Sequence, residues 1–404
     1  MKIAFINPIY GLPVPSTMGG GVEELLTILL KENEKTDGKH KFYFVQKYMY
    51  GKDSKYNTLT KYKNSELVLV KYNRVLNFFQ RVVNKILKIC KIKKEYPTFF
   101  PTDYHNKVLK AVKKINPDII IFQSQFDANI LKYQKYFGKD KLYLHLHIQN
   151  LEKTNLNKFV SGTISVSEFI KVDYENYLGQ NNLQNFVLKN CVDETRFNKK
   201  ITEQERQDLR QQLGFNKDDF VVCYCGRICK EKGVDKLIDA ILLAPENIKL
   251  LVMGSSSSAK KQTTKYIKNI IKTVQRNSQK IKFTGYIKNV DLYKYYQASD
   301  LQVVPSMWEE AAGLVVAEGQ MSGVPQIISK SGGMVEFASK ETIVLERNEK
   351  FVDNLSNKII ELSNSKELLD KISCAGCENA KQYNRENYYH NFIDIVEQIN
   401  NSNK

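Results

Sequence analysis

No stretch of this sequence approaches the roughly 18 consecutive apolar residues that a bilayer-spanning helix needs. The longest apolar runs are strand-sized, as in Asp118-Ile-Ile-Ile-Phe122, so a membrane-spanning helix is excluded. Met1–Asn7 turns at once into a Pro/Gly-rich loop, without the apolar core and small-residue cleavage site of a signal peptide. A cytoplasmic location is expected. Cysteine is sparse and odd in number, seven in 404 residues, which fits reduced thiols better than a disulfide framework. Cys223 and Cys225 alternate inside Phe220–Cys225, where a buried strand takes small apolar side chains, so we read them as packing and not as part of a zinc site with Cys229 or Cys374 and Cys377. Acidic residues are also in short supply: 44 Asp and Glu against 61 Lys and Arg leave +17. Such a surface attracts phosphates, nucleic acid or an anionic membrane. No RNP-like aromatic motif, zinc finger or helix-turn-helix pattern is present, which speaks against a nucleic-acid binder. Asn7–Gly21 lacks the G-x-G-x-x-G spacing of a Rossmann dehydrogenase.

With 42 % apolar and 26 % charged residues the chain has the balance of a folded protein. At roughly 150 residues per domain its length suggests two or three domains. Short apolar runs alternate with helical patterns, as in βαβ units and parallel sheets. One series holds strands at Ile3–Asn7, Lys41–Val45, Leu67–Lys71, Asp118–Phe122, Leu142–His145 and Thr163–Val166. A second holds Phe220–Cys225, Lys249–Gly254, Ile281–Phe283, Leu301–Val304, Gln326–Ser329 and Thr342–Leu345. Lys189–Phe197, followed by the polar stretch Asn198–Arg210, reads as an interdomain segment. We expect two doubly wound α/β domains facing each other across a cleft, 1–190 with a C-terminal helix at 385–404 packing back on it, and 191–384. Ligands in such sheets bind beyond the carboxyl ends of the strands.

Three loops there carry chemistry. After the first strand, Met18-Gly19-Gly20-Gly21 lets backbone N–H groups approach a phosphate or sugar ahead of a helix, or is only a flexible turn. After Phe220–Cys225 comes Gly226-Arg227 with Glu231-Lys232-Gly233, where a bidentate Arg and a point-charge Lys suit a diphosphate. After Leu301–Val304 comes a loop with Glu310 and a helix entered near Gly313, whose free N–H groups at Gly313, Leu314 and Val315 suit an anion. Glu310 and Glu318 could serve as a glycosidase pair or accept hydrogen bonds from sugar and ribose hydroxyls. Glu310 and Lys232 are both expected to face solvent.

Glu310 and Glu318, separated by seven residues inside Gly313-Leu-Val-Val-Ala-Glu318 and followed by Gly323-Val-Pro325 and Ser331-Gly-Gly333, resemble the signature of glycosyltransferase family 4, retaining nucleotide-sugar transferases of the GT-B fold. Asn190-Cys-Val-Asp193 is similar to the family's interdomain motif, with Cys191 in place of the usual Gly. The resemblance implies transfer from a nucleotide sugar, such as UDP-GlcNAc, UDP-Glc or UDP-Gal, to a glycan or lipid-linked glycan acceptor. It implies Arg227 and Lys232 on the donor diphosphate beside the backbone of Gly313, Leu314 and Val315, Glu310 on donor-sugar hydroxyls and Glu318 on the ribose. It places Gly20 and Gly21 near the donor, and it implies a first-domain His near the donor sugar, His147 or its competitor His145. No two Asp residues lie two apart, so the metal-binding Asp-x-Asp motif of the other large transferase fold is missing. Neither a metal nor another cofactor is expected.

Tyr72–Lys94 puts Val75, Leu76, Phe79, Val82, Val83, Ile86, Leu87 and Cys90 at helical spacing among seven cations and no acid. Two readings stay open: a membrane-surface helix, or a core-facing helix with a solvated basic face. On the first, the partner is an anionic membrane surface, and the acceptor belongs to lipopolysaccharide, capsule or exopolysaccharide synthesis.

Overall fold

Strands rich in Val, Ile, Leu and Phe and buried on both faces build two sheets in which every pairing is parallel. The computed structural model describes the chain except for residues 17–19, 58–59, 91–100, 126, 150–157, 180–181, 255–264 and 403–404. Two units result, Met1–Asn190 with Arg385–Lys404, and Cys191–Asn384.

The first unit runs β1 (Lys2–Ile6), α1 (Gly21–Asn33), β2 (Lys41–Lys47), β3 (Ser65–Val70), α2 (Arg74–Ile89), α3 (Asp103–Ile115), β4 (Ile119–Gln123), α4 (Ile130–Phe137), β5 (Leu142–Leu146), β6 (Gly162–Ser165), α5 (Glu168–Leu178) and β7 (Gln184–Val187). Its strands lie in the order β3-β2-β1-β4-β5-β6-β7. Strand β7 was not expected: its four residues, Gln184–Val187, are all half-buried and form no apolar run that would mark an edge strand. In α2 the core-facing reading fails. Its apolar side is exposed, with Phe78 at 63 %, Phe79 at 61 % and Val75 at 66 %.

The second unit runs α6 (Glu194–Phe197), α7 (Glu203–Gln212), β8 (Phe220–Cys225), α8 (Val234–Leu243), β9 (Ile248–Met253), α9 (Lys265–Arg276), β10 (Ile281–Gly285), α10 (Leu292–Gln297), β11 (Leu301–Val304), α11 (Leu314–Met321), β12 (Gln326–Ser329), β13 (Ile343–Leu345), α12 (Phe351–Ser363) and α13 (Lys366–Ala380). The sheet order is β10-β9-β8-β11-β12-β13. The units divide at Asn190/Cys191, inside Lys189–Phe197, but Asn198–Arg210 is no linker. A capping box between Thr202 and Glu205 starts α7 there. Arg210, buried, donates to the carbonyls of Ala298 and Asp219 and pairs with Asp300, which fastens the helix to the unit's own core.

The last helix, α14 (Arg385–Ser402), belongs to the first unit. Phe392 sets its ring 5.5 Å from Phe5 and 5.8 Å from Phe42, and Tyr389 donates to Asn33 Oδ1 at 2.9 Å. Aromatic pairs at such distances add to the area they bury, so α14 completes the core over β1 and β2.

Candidate active site

In the second unit the strand order reverses between β8 and β11. At such a switch point the flanking loops diverge and leave a crevice. Both loops here are built on glycines that other residues cannot replace. Gly233 has φ +66°, and a Cβ on it would stand 2.0 Å from the Pro305 carbonyl oxygen. That contact, with Met307 N–H donating to Glu231 O at 2.8 Å, draws the loop after β8 against the loop after β11.

The charged residues meet where the loops touch. Lys232 Nζ donates to Glu310 Oε1 at 2.6 Å, and Ser306 Oγ donates to the same oxygen at 2.5 Å. Oε2 receives neither bond, so one carboxylate oxygen is anchored and the other is not. The Lys232 ammonium also lies 5.9 Å over the Trp308 ring. Contrary to expectation Glu310 does not face solvent: it is 8 % exposed. Buried serines explain how it is held. Ser331 Oγ accepts from Glu310 N–H at 3.2 Å and donates to Trp308 O at 2.5 Å, while Ser329 Oγ donates to Ser306 O at 2.6 Å. Sequence reasoning gave no role to Ser306, Ser329 or Ser331, because a serine shows no pattern that reveals what its hydroxyl will reach.

Gly313 precedes α11 so tightly against the turn 332–337 that a Cβ would lie 2.9 Å from Phe337 Cβ and 3.0 Å from Met334 O. The helix's own bonds to Gly313 O come from Val316 and Ala317, so the N–H groups of Gly313, Leu314 and Val315 lie ahead of its internal ladder. Glu318 lies on the second turn of α11, and its Oε2 accepts from the buried Tyr296 hydroxyl at 3.2 Å. Burial raises the Tyr296 pKa, which keeps that hydroxyl a donor. Arg227 is exposed and helps line a pocket of about 230 Å³ with Gly226, Gly254, Tyr286 and Ile287, at the carboxyl ends of β8 to β10. An apolar floor, an aromatic edge and one guanidinium suit a flat base and the phosphate that follows it. Cys223, beneath these loops, is fully buried and its thiol is pushed up to about 12, so it packs as a neutral side chain. Among the described residues no group of three or more His, Cys, Asp or Glu is placed to hold a metal ion.

In the first unit the strand order reverses between β1 and β4. Gly20, with φ +131°, caps α1, and Gly21 opens the helix with nothing within 4 Å of where a Cβ would be. Met18 and Gly19 of the same run lie outside the described residues. His147 lies just past β5, and its Nε2 is 2.9 Å from Gln123 Oε1 at the end of β4. His145, within the strand, is 2 % exposed and its ring centroid is 3.9 Å from that of His147. Burial holds both rings well below the usual imidazole range, so both are neutral near pH 7. The parallel register aligns Gln123 with His145, and Asn7 follows the Ile6–Phe122 pair. Both side-chain polar atoms of Asn7, Gln123 Nε2 and His145 Nε2 are buried with no partner. Such groups cost about 1–3 kcal/mol each unless water or a ligand satisfies them. Arg227, Lys232, Glu310, Gly313, Leu314, Val315 and Glu318 thus lie in the second unit, and Gly20, Gly21 and His147 in the first.

Residues 205–379 match the family described as glycosyl transferases group 1. The matched stretch lies within the second unit. The lipopolysaccharide 1,2-N-acetylglucosaminetransferase of Salmonella typhimurium is 27 % identical over 242 residues, which cover 56 % of this chain and 61 % of that protein. A GDP-mannose-dependent phosphatidylinositol monomannoside mannosyltransferase of Corynebacterium glutamicum is 29 % identical over 213 residues, 48 % of this chain and 53 % of that one. The chain therefore spans little more than half the length of these curated relatives. Among solved structures, HepE of Anabaena in complex with UDP superposes with a TM-score of 0.70 at 20 % identity, covering 98 % of this chain and 100 % of that one. The fold, two Rossmann-like units with parallel sheets, is accordingly GT-B.

Proposed function

We propose that the protein transfers a sugar from a UDP-sugar, with retention of configuration, to a lipid-linked glycan during synthesis of a cell-surface polysaccharide. The observation that carries this reading is the Lys232–Glu310 pair at the β8/β11 switch point, beside the start of α11 and the pocket holding Arg227. Breaking the anomeric bond leaves an oxocarbenium-like sugar and adds negative charge to the diphosphate. Donors already in place on the phosphate stabilise that state more than the ground state. Arg227, Lys232 and the N–H groups of Gly313, Leu314 and Val315 supply them. Glu310 Oε2 takes donor-sugar hydroxyls, and Glu318 takes the ribose. With these cations and no Asp-x-Asp, the reaction proceeds without a divalent ion. Gly20, Gly21 and His147 are the first unit's contribution to the reaction. The UDP in HepE and the lipopolysaccharide substrate in the Salmonella relative's name agree with this choice of donor and acceptor.

The test is UDP release from UDP-GlcNAc, UDP-Glc and UDP-Gal in the presence of EDTA. Release from one of them, undiminished by the chelator, is the expected result. No release from any of the three sinks the donor assignment, and release that appears only with added manganese sinks the metal-free mechanism.

A further inference from the structure

Helix α2 is built inside out. The stripe that faces the first unit is Asn77, Gln80, Asn84 and Leu87, at spacings of three, four and three. These hold the helix by polar contacts: Asn77 Oδ1 accepts from Tyr104 N–H at 3.3 Å and Gln80 Oε1 from Asp103 N–H at 2.7 Å, while Asp103 Oδ2 accepts from Asn73 N–H at 2.6 Å. Opposite that stripe, at helical spacing, stand Val75, Phe78, Phe79, Val82, Ile86 and Ile89, between 38 % and 69 % exposed. A helix of a soluble domain does the reverse.

Charge decides what covers this face. Arg74, Arg81 and Lys85, all exposed, follow one edge of the apolar strip at positions i, i+7 and i+11. No Asp or Glu occurs between Glu66 and Glu95. The first unit has 32 Lys and Arg against 19 Asp and Glu, the second 29 against 25, so most of the net charge sits on the unit that carries α2. A protein partner would require an acidic groove with an apolar floor; an anionic bilayer offers headgroup charge above hydrocarbon along any line on its surface.

We infer that α2 is a docking helix that lies in the interface of an anionic bilayer, with Val75, Phe78, Phe79, Val82, Ile86 and Ile89 toward the acyl chains and Arg74, Arg81 and Lys85 at the headgroups. This deepens the reading of a lipid-linked acceptor and rests on it for its purpose, though the surface itself does not depend on it. Docking through α2 would bring the first unit to an acceptor held in the membrane.

The experiment sediments the full chain with vesicles of phosphatidylglycerol, or of phosphatidylcholine alone, across a salt series and without any nucleotide sugar. UDP-sugar hydrolysis is measured separately without vesicles, so the two readings fail independently. The wild type is expected to sediment with phosphatidylglycerol only, and less as salt rises. Each of Arg81→Glu and Lys85→Glu is expected to lower partitioning at least about fivefold. Phe78→Ser with Phe79→Ser is expected to abolish binding with Tm and hydrolysis unchanged, because both rings are exposed. No binding of the wild type to phosphatidylglycerol at low salt overturns the proposal. So does binding that ignores these substitutions, or a self-associated species that the Phe78/Phe79 variant dissolves while vesicles have no effect.

Discussion

The two units share a topology and differ in how they treat polarity. In the second, the polar groups at the switch point hold one another: Lys232 and Ser306 share Glu310 Oε1, Tyr296 holds Glu318, and serines hold the loop. In the first, the corresponding edge leaves Asn7, Gln123 Nε2 and His145 Nε2 without partners, and α2 turns its apolar side outward. One unit has its contacts made before any ligand arrives, and the other has them waiting. A fixed arrangement suits a diphosphate, whose geometry is the same in every donor. An apolar helix face turned outward suits a partner of less fixed shape.

The sharpest break in that comparison is at the ion pair. Glu310→Gln and Lys232→Ala should each lower turnover by about 100-fold or more, since each removes a preorganised charge. Steady-state UDP release checks this, and near-wild-type turnover in either variant removes that residue from the mechanism. Lys232→Ala should also lower the melting temperature by a few degrees, because it leaves the enclosed Glu310 carboxylate with one donor fewer.

Glycines give the next contrast. Gly233→Ala should cost about 2–4 kcal/mol, from left-handed strain and overpacking against Pro305. Gly21→Ala, with open space around the new methyl, should gain about 0.5–1 kcal/mol. Denaturant unfolding measures both, and similar values at the two positions would dissolve the distinction between a locked loop and an open one. If Gly21 approaches the donor, its variant loses activity while gaining stability.

Ser306→Ala sharpens the picture at lower amplitude. Loss of the hydroxyl that shares Glu310 Oε1 should reduce kcat about tenfold with donor KM little changed, and Ser306→Thr should restore it. A rise in KM at constant kcat would mean that Ser306 contributes only to binding.

Acid provides the most general effect. All five histidines lie in the first unit. Burial holds His40 and His145 below the usual range, His105 at about 4 and His147 at about 3. A folded pKa below the unfolded one means that the unfolded chain binds more protons, so this stability is complete above about pH 6.5 and drains as pH falls toward the folded values. Asp127, raised to about 7 by burial, works the other way: its contribution is complete below the ordinary carboxyl value and fades as pH rises through 7. Four groups outweigh one. Calorimetry from pH 7 to pH 5 should show the first unit's transition falling while that of the second, without histidine, hardly moves. Parallel shifts of both would contradict this.

Period and punctuation made most of the fold legible. Strands buried on both faces announce themselves as apolar runs, so twelve of the thirteen strands among the described residues overlap the segments read from sequence. The miss, β7, is an edge strand without such a run. The loops after β8 and β11 were legible as the loops of a switch point because glycines and charged residues follow the apolar runs there. The serine props of Glu310, the Tyr296–Glu318 contact and the unpartnered row at Asn7 were not, since each joins residues distant in sequence through geometry alone. Helix α2 shows the limit from the other side. Its pattern fixed an apolar face, and only Asn77 and Gln80, bonding to the start of α3, settled which way that face looks.

Helix α14 has a bearing on how the chain comes off the ribosome. The first unit's core waits for Phe392, which is made only after residues 191–384 have emerged. The second unit is one unbroken stretch and has every residue of its own core by Asn384. Domains usually mature in the order of synthesis; here the later unit is ready first, and the earlier one spends that interval with β1 and β2 lacking part of their cover.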